Sequence, residues 1–258
     1  MLSFILPYEG KSVHTHFPPT FEHPIANIAS RMYNMAGDAM FVPILFCDDS
    51  LVVCLKPPGA DSEREMPSLL SAQLGAAEVF CVHRLDRAVG GVMVYALNKE
   101  AAAGLSRQMA GGTFWKEYLA VVHGRPEADA GTLRDLLYYD RAHGKSYVVT
   151  RKRAGVKEAS LSYRLLGEAD GFSLLAVRLH TGRTHQIRVQ FASRRMPLAG
   201  DGRYGSPRRN CPLALWSRAL GFAHPASSEA MHFEALPPDD YPWNQFLLTG
   251  DLTCDTLK

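Results

Sequence analysis

Apolar residues along this chain come mostly in short runs closed by Gly, Pro, Asp or Asn, a pattern that predicts strands and turns more often than long helices. Phe41 to Phe46 and Leu51 to Leu55 flank Asp48-Asp49-Ser50 and predict a hairpin, which Pro57-Pro58-Gly59 then breaks. Ser68 to Leu74 sets Leu69, Leu70 and Leu74 on one side of a helix, and Val92 to Leu97 predicts a buried strand. Lys99 to Met109 has helical composition, with Asn98 as N-cap and Gly111-Gly112 at its end. Thr113 to Gly124 alternates as a strand: Trp115, Glu117, Leu119 and Val121 face one way, and Phe114, Lys116, Tyr118, Ala120 and Val122 the other. Residues 141–157 read as a basic connection. Glu158 to Leu166 and Phe172 to Leu179 predict a second hairpin around Glu168-Ala169-Asp170-Gly171. The stretch Thr181 to Arg195 turns helical after Gly182, with Ile187, Val189 and Phe191 inward, and Pro197 and Gly200 end it. Leu213 to His224 and Met231 to Leu236 add strand candidates before a loop-like tail. Strand runs outnumber helices and follow one another through short turns. The expected class is therefore α+β: a mixed, mainly antiparallel sheet with flanking helices, a single domain over residues 41–258 and a short N-terminal arm over residues 1–40.

Composition changes this picture little, but charge placement changes it much. At 258 residues with 47% hydrophobic content there is ample core, and 28 Lys+Arg against 26 Asp+Glu leave a net charge of only +2. Between Arg178 and Arg209, however, eight arginines meet one acid, Asp201, and from Arg141 to Lys157 six basic residues meet none. Half of the basic residues thus lie in two segments, which predicts a positive groove for a phosphate backbone. Tyr138, Tyr139, Tyr147, Phe191 and Tyr204 stand among those cations and could stack bases. Five cysteines form no C-x-x-C pair, the first ten residues lack a basic leader, and no apolar run approaches the ~18 residues of a membrane helix. A reducing cytoplasm is the expected compartment.

Two attractive motifs fail on context. Gly200 to Gly205 matches G-x-G-x-x-G but follows a helix and precedes Pro207, the reverse of a dinucleotide site. His180 and His185 are five apart, off the face of a helical metal pair, and the His14/His16 pair of the arm lacks a third ligand. Neither a metal nor a cofactor is expected. The stretch that stands out is Cys81 to Asn98, in which His83-Arg84-Leu85-Asp86 enters a turn marked by Gly90-Gly91 before the next apolar run. A loop between buried strands would give Asp86 a rigid mount and an open face, although an ion pair with Arg84 or a turn-initiating role would also place an Asp there. Arg183, His185 and Arg188 sit at the predicted strand-to-helix junction, where a cation held against Asp86 would keep it ionised. Tyr118 could stack on a base, or pack as an ordinary core residue.

Taken together these residues resemble the RluA-type branch of the pseudouridine synthase family, from about Asp48 to Pro237. The likeness rests on Leu55-Lys56-Pro57-Pro58-Gly59, His83-Arg84-Leu85-Asp86, Lys116-Glu117-Tyr118-Leu119-Ala120, Thr181-Gly182-Arg183-Thr184-His185-Gln186-Ile187-Arg188-Val189, and Pro197-Leu198-Ala199-Gly200-Asp201 with Tyr204-Gly205. The resemblance implies that residues 41–258 are a catalytic domain isomerising uridine in ribosomal or transfer RNA, with no metal, redox or nucleotide cofactor. It implies that Asp86 is catalytic, that Arg183 pairs with it, that Tyr118 stacks on the uracil and is placed for proton transfer, that Arg84 helps evict the uridine, and that Ile187 packs under the base. His83, His185, Gln186 and Arg188 are expected to contact RNA, and the chain to act as a monomer without an S4-type RNA-binding domain. Two departures stand out: Val89-Gly90-Gly91 where the family usually has Thr-Ser-Gly, and Trp216 where a His is common. They are expected to alter loop flexibility or substrate choice. Two rival readings use the same residues: a non-catalytic RNA-binding module, and a metal-assisted hydrolase built on His83, Asp86 and His185.

Overall fold

A computed structural model describes residues 41–207, 210–248 and Leu252. The N-terminal arm, Arg208 and Arg209 lie outside the described residues. The described strands form a single sheet of eleven, β1 (Ile44–Cys47), β2 (Leu51–Lys56), β3 (Phe80–Cys81), β4 (Gly90–Ala96), β5 (Trp115–His123), β6 (Ala130–Asp140), β7 (Lys145–Val149), β8 (Val156–Ala169), β9 (Phe172–Leu179), β10 (Leu215–Ala223) and β11 (Ala230–Glu234). Its spatial order is β1-β2-β4-β10-β5-β9-β8-β6-β7, with β11 beside β10 and β3 beside β4. Every pair is antiparallel except β4 with β10, so the mixed, mainly antiparallel sheet expected from the short turns is the sheet observed. Among the described residues three α-helices flank it: α1 (Glu65–Leu74), α2 (Lys99–Gly111) and α3 (Gln186–Ala192).

The strand alternation sorts the core. On β5, Tyr118, Ala120 and Val122 join Met66 and Leu70 of α1 and Ile187 and Phe191 of α3 on one face. Leu119 and Val121 turn to the other, where Trp216 and Trp243 cover them. Helix α2 packs Ala101 and Leu105 against Val92, Val94 and Leu220, and starts where Asn98 accepts a hydrogen bond from the Ala101 amide at 2.8 Å. β6 is a strand that the sequence pattern does not announce, and β7 runs through what reads as a basic connection, pairing Tyr138 with Tyr147 and Tyr139 with Ser146. Helix α3 is shorter than the predicted stretch, because Thr181 to His185 are tied in a turn by the Gln186 side chain.

The two departures from the family pattern meet. Trp216 and Gly90 are partners in the one parallel pair. A Cβ on Gly90 would stand 2.5 Å from the Trp216 ring, and one on Gly91, whose φ is +121°, only 2.2 Å from the Ser217 carbonyl oxygen. Val89, Gly90 and Gly91 are buried. The space left by the missing side chain of Gly90 is therefore occupied by the Trp216 ring, so the two departures form one packed contact.

Candidate active site

The Asp86 loop is clamped from behind. The Lys56 ammonium, fully buried, donates to the carbonyls of Pro57 (2.9 Å), Ala60 (2.8 Å) and Arg87 (3.2 Å), so its three protons all have acceptors. Burial pulls its pKa down to about 8, while Asp61, Glu65 and Asp86 pull back up. Ser62 Oγ donates to the Leu85 carbonyl (3.0 Å) and lies 3.2 Å from the Leu85 amide, which donates back to it. The Val89 amide closes the turn on the Asp86 carbonyl at 2.9 Å. These bonds fix the backbone on both sides of Asp86 and leave its carboxyl facing a cleft.

One oxygen of that carboxyl accepts from Arg188 Nη1 at 3.0 Å. Arg188 is itself gripped by Asp201, Nε to Oδ2 at 2.8 Å and Nη2 to Oδ1 at 2.9 Å. Burial alone would lower the Arg188 pKa, but the hydrogen bonds and charges of Asp201 and Asp86 carry it above the ordinary value, so it is a fixed cation. The Tyr204 ring lies under the guanidinium, 5.2 Å from centroid to Cζ. Tyr204 Oη also meets His185 Nδ1 at 3.0 Å, and His185 Nε2 stands 3.8 Å from Asp86. His185 is held at φ +54°, the left-handed region, at the N-cap of α3. Burial lowers its pKa; Asp86 raises it and Arg188 and Arg203 lower it further, so the imidazole is neutral at pH 7. Tyr118, 5% exposed, lines the same cleft. Its phenol is pushed up by burial and then by the Asp86 charge, and stays protonated.

Several sequence expectations change. Arg183 does not pair with Asp86: its Nε donates to the Glu158 carbonyl at 2.9 Å, and Arg188 takes the place expected of it. Position 188 lies inside α3 and turns toward the sheet, whereas 183 lies in the preceding turn. Gln186 clasps the turn, bonding Thr181 Oγ1 (2.8 Å), the Arg183 amide (3.0 Å) and the Ser160 carbonyl (3.0 Å). His83 is also structural: Nε2 accepts from the Val94 amide at 3.2 Å, and its ring packs on Phe114. Burial, then the Lys116 charge, hold it neutral. Ile187 is 4% exposed and lines the cleft beside Tyr118. Arg84 stands at the mouth, paired with exposed Glu63 at 3.1 Å and reaching Thr184 Oγ1 at 3.4 Å. Asp201 was missed as a site residue, although its isolation among eight arginines was a legible signal for it. Among the described residues no cluster of His, Cys, Asp or Glu is arranged to hold a metal, and no helix is long and apolar enough to cross a membrane.

The cleft, about 790 Å³, runs from Asp86 past Tyr118 and Ile187 to Arg178 and His180. Asp86 is thus a half-screened carboxylate fixed between a buried cation and a neutral imidazole, with a protonated phenol beside it. Such a set can stabilise or attack a carbon that becomes electron-poor, and can pass a proton, within a space wide enough for a flat ring.

Comparison with known proteins is consistent with that chemistry. A family model described as RNA pseudouridylate synthase matches residues 50–193. An uncharacterized RNA pseudouridine synthase of Bacillus subtilis is 37% identical over 174 residues, 66% of this chain and 56% of that protein. This chain therefore spans a little over half of that relative. Ribosomal large subunit pseudouridine synthase D of Zymomonas mobilis is 32% identical over 222 residues, 76% of this chain and 69% of that one. The structure of human RNA pseudouridylate synthase domain containing 1 superposes with a TM-score of 0.69 at 22% identity, over 80% of this chain and 87% of the other, a likeness of fold.

Proposed function

Because this chain belongs to the RNA pseudouridine synthase family, of the RluA type, we propose that residues 41–258 form a catalytic domain that isomerises uridine in ribosomal RNA to pseudouridine, with Asp86 as the catalytic carboxylate. The observation that carries this is the Arg188–Asp86 pair, 3.0 Å long, at the floor of a cleft lined by Tyr118 and Ile187. In the isomerisation the N1–C1′ bond breaks, the uracil turns, C5 bonds to C1′, the C5 proton leaves and N1 takes up a proton, so no atom is gained or lost overall. Charge that develops at C1′ is positive, and Asp86 is the anion aimed into the cleft to meet it. Arg188 and the neutral His185 hold the Asp86 carboxyl in place. Tyr118 holds the base against Ile187 and carries a proton on its phenol, which burial keeps from ionising. A stacked uridine cannot present C1′ and C5 to one carboxylate, so the nucleotide must be extruded, and Arg84 at the mouth fills the space it leaves.

Ribosomal RNA is favoured by the name of the Zymomonas relative, and a monomer in the cytoplasm is the setting in which the domain would meet it. The test is to incubate ribosomal RNA from cells lacking this protein with the purified chain, digest it to nucleosides and separate them. A new pseudouridine peak is the expected result, and an unchanged profile on RNA that the protein binds would overturn the assignment.

A further inference from the structure

The cleft does not stop at the uridine-sized space around Asp86. It continues over the first residues of β5 and the last of β9, where Trp115, Arg178 and His180 line it. Trp115 is half-buried and is the β5 partner of Gly221 on β10; a Cβ at Gly221 would stand 2.0 Å from its Nε1. The glycine therefore lets the indole lie down on the sheet, where it also meets the His232 ring at 5.2 Å. The Arg178 guanidinium sits 5.3 Å from the indole centroid. Glu117 lies directly across from Arg178 on β5 and also accepts from Arg218 at 2.7 Å, so the in-plane edge of the Arg178 guanidinium has a carboxylate beside it while its faces are left to the indole and to a base. Beyond this pair, His180 holds Ser162 Oγ at 2.7 Å, and burial followed by the Arg178 and Arg134 charges lowers its pKa.

We propose that Trp115 and Arg178 form a subsite for the nucleotide flanking the target uridine, Arg178 stacking on its base or pairing with its phosphate while Trp115 keeps the guanidinium flat. A planar cation laid on an aromatic ring offers a sequence-tolerant stacking plane together with a bidentate phosphate donor, the pairing that single-stranded RNA sites use. This inference rests on the RNA reading of the cleft but not on turnover, so binding alone can test it.

The chain has three tryptophans, and Trp216 and Trp243 are 2% and 6% exposed. Titrating the protein with oligouridylate should quench fluorescence from Trp115 and leave the other two unchanged, so Trp115→Phe should abolish the quench. With fluorescein-labelled oligouridylate, Arg178→Gln should weaken binding about five- to tenfold and reduce the slope of log affinity against log salt by about 0.7. Arg178→Lys, which keeps the charge but loses the plane, should restore the slope and only part of the affinity, with an unchanged Tm excluding a folding defect. A quench that persists in Trp115→Phe, or an Arg178→Gln protein whose affinity and slope match the wild type, overturns the subsite. Failure to form pseudouridine with wild-type protein would overturn the proposed reaction and leave these two readings intact.

Discussion

Two buried arginines among the described residues each bridge a pair of carboxylates, and only one of them opens onto the cleft. Arg188 links Asp201, 1% exposed, to Asp86, 20% exposed. Arg218 links Glu117, 3% exposed, to Glu234, 56% exposed. The inner pairs are alike: buried, short and charge-assisted. The outer carboxylates differ. Glu234 ends on β11 in open solvent, where water screens it. Asp86 ends in a cleft with Tyr118 and His185 around it and solvent on one side only. A buried Arg–carboxylate pair is therefore scaffolding by itself; it becomes chemistry when its outer anion is half-screened, fixed, and faced by groups that can carry a proton. Tyr118 and Glu117 are neighbours on β5, and strand alternation sends one to each bridge.

Removing the scaffold bridge should have the largest effect on stability. Arg218→Met takes from buried Glu117 its 2.7 Å charge-assisted partner, and should cost about 3–5 kcal/mol in urea unfolding, while kcat measured on the folded fraction stays close to wild type. If kcat collapsed as well, the two bridges would not be separable. On the other side, Tyr118→Phe should lower kcat by about 10²-fold, with RNA affinity nearly unchanged; an equal loss in both would make Tyr118 a packing residue. Gly90→Ser should cost about 1–3 kcal/mol by driving a side chain into Trp216. Combining it with Trp216→His should recover more than half of that, a coupling that a double-mutant cycle reads directly.

The smallest effect is on pH. His83 is held neutral by burial and then by Lys116, and burial also lowers His185. Their folded pKa values lie below the unfolded value of about 6.5, so below that pH the unfolded chain takes up protons the native state refuses. Stability is then fully present above about pH 6.5 and falls as pH drops toward the folded values, by up to about 1.4 kcal/mol per pH unit for each histidine. A His83→Gln protein should show a shallower fall; the same slope in both proteins would remove His83 from the account.

How much of this could be read from the residues follows from burial. β2, β4, β5 and β9 are buried almost throughout, so their apolar runs are plain in the sequence. β6 and β7 are half-exposed and carry Arg134, Asp135, Tyr139 and Lys145, so they look like loop until their pairing is known. Asp86 was legible because it stands just before Gly90-Gly91, where the chain passes from loop into a buried strand. Its partner was not, since Arg183 and Arg188 share one segment, and the choice between them depends on the left-handed turn at His185, which no spacing rule announces. The Gly90–Trp216 pair shows the same limit: in the sequence they are two separate departures, and as neighbours in a parallel ladder they are one exchange of volume.

The proposed reaction stands or falls with Asp86 and the Arg188 bridge that holds it. RNA carrying tritium at C5 of uridine releases that tritium only when C5 forms its new carbon–carbon bond. Wild type and Asp86→Asn should be assayed side by side on such RNA, with Tm measured for both. Release by wild type, a fall of at least about 10³-fold in the variant and a similar Tm are the result predicted. Release by Asp86→Asn at the wild-type rate would contradict it.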